Sequence, residues 1–140
     1  MEVSFNNTRS RRIFVLGIFE DLARIEEICN SLSFYLSKMY DMEPLFGRSS
    51  KYAVIAKQAV FLAIQRSNSL ATDIMRRVDT AEQNEILAVS NMKEPFSELD
   101  KMVKMLERDY NHRRFHGILD RLRKTGEKAS MLKEEFLGIL

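Results

Sequence analysis

Val15, Ile18, Leu22, Ile25, Cys29, Leu32, Leu36 and Tyr40 recur at steps of three and four across residues 10–42, and no proline interrupts them. Such steps return to one side of an α-helix, so the stretch predicts an amphipathic helix about 50 Å long. That exceeds the usual globular helix and suits the strut of a bundle. Gly17 is its one weak position. Pro44 disfavours helical backbone at Glu43 and Gly47 suits a left-handed turn, so the helix is expected to stop near Glu43. Ser49 and Ser50 then stand where a second helix could be capped.

That second helix carries a narrow stripe of Tyr52, Ala56, Ala59, Val60, Ala63, Ser67, Leu70, Ala71, Ile74 and Val78. Small residues at packing positions let two helix axes approach closely, which predicts a central place for this element. Val54, Ile55, Phe61, Leu62, Ile64 and Met75 fall off the stripe, and a helix apolar on several sides is expected to be buried on several sides. Thr80-Ala81-Glu82-Gln83 reads as a capping box, so a break is expected near Asp79 and Thr80, although Ala88, Val89 and Met92 continue the earlier phase.

Pro95, with Glu94, Glu98 and Asp100 around it, marks a further helix start. Leu99, Met102, Val103, Leu106 and Tyr110 then share one face. Phe115, Ile118, Leu119, Leu122, Ala129, Leu132 and Phe136 share another, nearly opposite at about 100° per residue. The phase slips between Asn111 and Arg114: either the helix breaks there or one long helix changes the neighbour it packs against. The expected fold is all-α, an antiparallel helical bundle of three long, coiled-coil-like arms comprising four to five helices. It is read as one domain over residues 1–140, with residues 1–9 a flexible basic tail. Only 7 of 140 residues are Gly or Pro, too few for the many turns of a sandwich or barrel.

Residues 6–19 mimic the basic and apolar parts of a signal peptide, but the apolar run ends at Glu20-Asp21 and no small-residue cleavage site follows. No uncharged run approaches the 18 or so residues that span a bilayer. A lone cysteine, Cys29, allows no intrachain disulfide and fits a reducing compartment, so a cytoplasmic location is expected.

Charge alternates along the chain. Residues 13–43 hold six Asp/Glu against two Lys/Arg, residues 48–77 one against six, residues 78–100 six against one, and residues 101–128 four against nine. Acidic arms beside basic arms would attract across each antiparallel seam. The contrasting reading takes the basic segment 108–128, with Arg113, Arg114, Arg121, Arg123 and Lys124, as a phosphate-contacting surface for nucleic acid. Asp120 and Glu127 interrupt it, and no nucleic-acid motif accompanies it.

His112 and His116 stand four apart, with Asp109 and Asp120 on the same helical edge if the helix is continuous. That spacing permits a shared metal ion, and an exposed imidazole in a helical bundle permits phosphotransfer. Three nearby arginines disfavour the metal, and Leu119 and Asp120 stand where a phosphotransfer site places Lys and Gly. No Gly-rich phosphate loop, nucleophile elbow or Cys–His pair occurs. Cys29 lies on the apolar stripe and is expected to be inert, so neither a cofactor nor an activity of its own is expected.

Met92, Met102, Met105 and Met131 are read as core fillers ahead of an adaptable binding groove. Phe14, Phe19, Phe34, Tyr35, Phe61, Phe115 and Phe136 lie off the main stripes and exceed what a slender bundle hides, so self-association is expected to cover them. The sequence thus points to a homodimeric protein–protein interaction bundle, an adaptor, chaperone or regulatory subunit, with Phe34, Tyr35 and Phe61 at its interface.

Overall fold

The computed structural model describes residues 8–46, 51–83, 93–112 and 117–138. They form four helices, α1 (Thr8–Phe46), α2 (Lys51–Gln83), α3 (Lys93–Asn111) and α4 (Ile118–Leu137), with no strand among the described residues. At 1.5 Å per residue α1 is about 58 Å long and α2 about 50 Å, whereas α3 and α4 are each about 30 Å.

α1 packs on α2 and α4, and α3 packs on the same two, so the helices follow one another around a ring that α4 closes against α1. Directions alternate. Lys57 and Asp79 of α2 meet Tyr110 and Lys93 of α3, so a rise along one helix accompanies a fall along the other. Asp109 and Phe96 of α3 likewise meet Arg121 and Phe136 of α4, and Glu26 and Cys29 of α1 meet Lys133 and Gly126 of α4. This is an all-α antiparallel bundle.

The α1 stripe turns inward as its period requires: Val15, Ile18, Leu22, Ile25, Cys29, Leu32 and Leu36 are buried. They meet Val60, Ile64, Ala71, Ile74 and Val78 of α2, then Phe96, Leu99, Val103 and Leu106 of α3, then Ile118, Leu122, Ala129, Leu132 and Phe136 of α4. Phe96 and Phe136 meet edge to face, ring centroids 5.3 Å apart. Phe136 is therefore core and not the interface residue its off-stripe reading suggested.

Helix boundaries depart from the sequence expectations at both ends of α1 and within α2, and agree with them at the start of α3 and beyond Asn111. α1 begins at Thr8, inside the segment read as tail, and continues past Pro44 to Phe46. α2 does not break at Asp79 and Thr80. It runs to Gln83, and the Thr80 hydroxyl donates to the Arg76 carbonyl at 2.9 Å, back-bonding within the helix instead of capping a new one. α3 begins at Lys93, so Pro95 sits among the first four N–H groups, which have no partner in any helix. The phase slip beyond Asn111 is a break: Gly117, with φ 82°, takes the left-handed conformation just before α4. Capping by Ser49 and Ser50 lies outside the described residues.

α2 is a corner of the ring, not its centre. Ala59, Val54, Ile55 and Leu62 are exposed, because a helix with two neighbours buries one broad face only. Met105 and Met131 are exposed and Met102 is half-buried, so these methionines do not fill the core.

Each seam carries a polar contact beside the apolar stripe. Arg77 of α2 donates to the buried carboxylate of Asp21 at 2.5 Å. Its guanidinium reaches it past Gly17, where a Cβ would lie 3.4 Å from Arg77 Nη1. The Asn68 amide donates to Glu107 between α2 and α3. Arg121 pairs with buried Asp109, and Lys128 with Glu98 at 3.1 Å, between α3 and α4. Lys133 closes the ring on Glu26 at 2.5 Å.

Candidate functional site

Among the described residues of the basic segment 108–128, four cations lie near a carboxylate. Arg121 is bound by Asp109, Lys124 lies 3.1 Å from Asp120, Lys128 pairs with Glu98, and Arg108 Nε stands 4.0 Å from Asp109. Arg123 is exposed, and Arg113 and Arg114 lie outside the described residues. Of the residues read as a phosphate-contacting surface, Arg121 and Lys124 thus face a carboxylate.

The histidine cluster presupposed one unbroken helix. α3 ends at Asn111 and α4 begins at Ile118, so exposed His112 lies in the turn just beyond α3 while Asp120 is in the first turn of α4 beside Lys124, and Asp109 is held by Arg121. His116 lies outside the described residues. Among the described residues no three His, Cys, Asp or Glu side chains converge as a metal site would require. Cys29 is buried in the α1–α4 seam, and burial pushes its thiol from 9.0 up to about 12. A thiol so protonated is a poor nucleophile.

A trough of about 580 Å³ follows the α2–α3 seam, lined by Gln65, Asn68, Thr72, Arg76, Lys104 and Glu107 among others. Its charges are met locally: Arg76 by Asp73 at 3.8 Å, Lys104 by Asp100, and Glu107 by the Asn68 amide.

The outer side of the α1–α2 layer is different. Phe34 is 59% exposed, Tyr35 63%, Ile55 54% and Leu62 64%. At about 100° per residue Ile55 and Leu62 fall opposite the buried stripe of α2, as Phe34 does on α1. Tyr35 is fourteen residues, nearly four turns, beyond Asp21 and so returns to the α2 side of α1. Asp21 and Arg77 also fix the level of the two antiparallel helices: fourteen residues back along α2 from Arg77 is Ala63, so Leu62 lies within one residue of the level of Tyr35. The two aromatic rings meet edge to face at 5.8 Å, and the Lys38 ammonium lies 5.6 Å from the Phe34 ring.

The structure thus brings Phe34 and Tyr35 together and places Phe61 elsewhere. Phe61 is half-buried in the α2–α3 seam, stacked on Tyr110 at 5.7 Å. Tyr110 is anchored there by its hydroxyl, which donates to the Lys57 carbonyl. Ile55 and Leu62 are the members that sequence reasoning assigned to the interior. The signal that marks them is their seven-residue spacing on the side away from the stripe.

No protein-family model, curated protein or solved structure matches this chain. No described helix is long and apolar enough to cross a membrane.

Proposed function

We propose that this chain is a non-enzymatic helical bundle that acts through protein–protein contact, as an adaptor, chaperone or regulatory subunit, and that it works as a homodimer. The observation that carries the reading is the set of large apolar side chains left exposed on α1 and α2, Phe34, Tyr35, Ile55 and Leu62 among them. A side chain of this kind gains about 1.5–3 kcal/mol on full burial, so together they hold enough driving force for association. The engaged charges of segment 108–128 and the protonated, buried Cys29 support the same reading, because they leave the exposed apolar side chains as the features without a use inside the fold. A cytoplasmic setting belongs to this reading, since a single reduced thiol suits it.

Sedimentation of the full chain over a wide concentration range tests it. The mass is expected to rise from monomer to dimer, and Tyr35→Glu with Leu62→Glu to hold the chain at monomer while leaving its helicity unchanged. A strictly monomeric wild type at high concentration would overturn the reading.

A further inference from the structure

We draw no further inference here: the strongest candidate, the surface of α1 and α2 that leaves Phe34, Tyr35, Ile55 and Leu62 exposed, carries nothing beyond the reading above, because nothing in the structure shows what covers it.

Discussion

Gly126 of α4 lies against Cys29 of α1, so close that a Cβ on the glycine would stand 3.2 Å from the Cys29 Cβ and 3.4 Å from Asn30 Oδ1. A Cβ is fixed to its backbone, so relief would require the two helices to part. Gly126→Ala gains about 1 kcal/mol of helix propensity and loses about 1–3 kcal/mol to overpacking. The expected net loss is about 1 kcal/mol, read as a lower urea midpoint. Removing only the sulfur, as Cys29→Ala, will not relieve it, because the clash is with the Cβ.

Gly17→Ala is expected to act in the opposite direction. Its Cβ would meet the far end of the Arg77 side chain at 3.4 Å, a contact that a flexible guanidinium can accommodate. The helix-propensity gain then dominates, and thermal unfolding should shift upward by an amount corresponding to as much as about 1 kcal/mol.

Arg77→Ala leaves the Asp21 carboxylate, 6% exposed, without its main partner. Losing one member of a fully buried pair costs about 3–5 kcal/mol; the Arg77 side chain is 40% exposed and lets water in, so a loss of about 2 kcal/mol is expected. Arg24, 4.0 Å from Asp21, offers slight compensation. In a double-mutant cycle, Asp21→Ala in the Arg77→Ala background should cost far less than Asp21→Ala alone. Additive losses would show that the pair is not coupled.

Cys29 gives the fold an alkaline signature. An unfolded thiol ionises above 9.0, whereas the buried one stays protonated until about 12. Between those values the unfolded state binds fewer protons than the native state, so stability falls as pH rises, by up to about 1.4 kcal/mol per pH unit. Below 9.0 this contribution is fully present and flat. The difference in stability between wild type and Cys29→Ala should therefore be constant to pH 9 and shrink above it. A constant difference up to pH 11 would contradict the burial of this thiol.

Phe136→Ala should cost about 3–5 kcal/mol, since its ring is fully buried against Phe96. Phe34→Ala, on a side chain 59% exposed, should change monomer stability by less than about 0.5 kcal/mol while weakening self-association. Equal effects of the two substitutions on stability would contradict the division between core and surface drawn here.

The α1 stripe from Val15 to Leu36 was legible residue by residue because a period sustained over about six turns admits one solution. The break after Asn111 was legible as a slip of phase, and Gly117 marks the place. What period alone could not show was how wide a face each helix buries. That depends on the number of neighbours, and for α2 the corner position leaves Ile55 and Leu62 outside. Thr80 misled for a related reason: a hydroxyl that can cap a new helix can equally bond back to Arg76 within an existing one. The surface aromatics Phe34 and Tyr35 were legible as surplus to the stripe. Phe61 and Phe136, equally surplus on paper, found partners in Tyr110 and Phe96 that lie far away in sequence.

The polar contacts flanking the stripes also settle the sense in which the helices wind. An apolar stripe is symmetric about its midline and would serve a clockwise ring or its mirror equally well. Asp21 and Glu26 are not symmetric: they border opposite edges of the α1 stripe, one turned to Arg77 of α2 and the other to Lys133 of α4. In the mirror arrangement each carboxylate would face away from its cation and Asp21 would be buried alone. The hand of this bundle is therefore written in its charged borders, while the greasy interior decides only that a bundle forms.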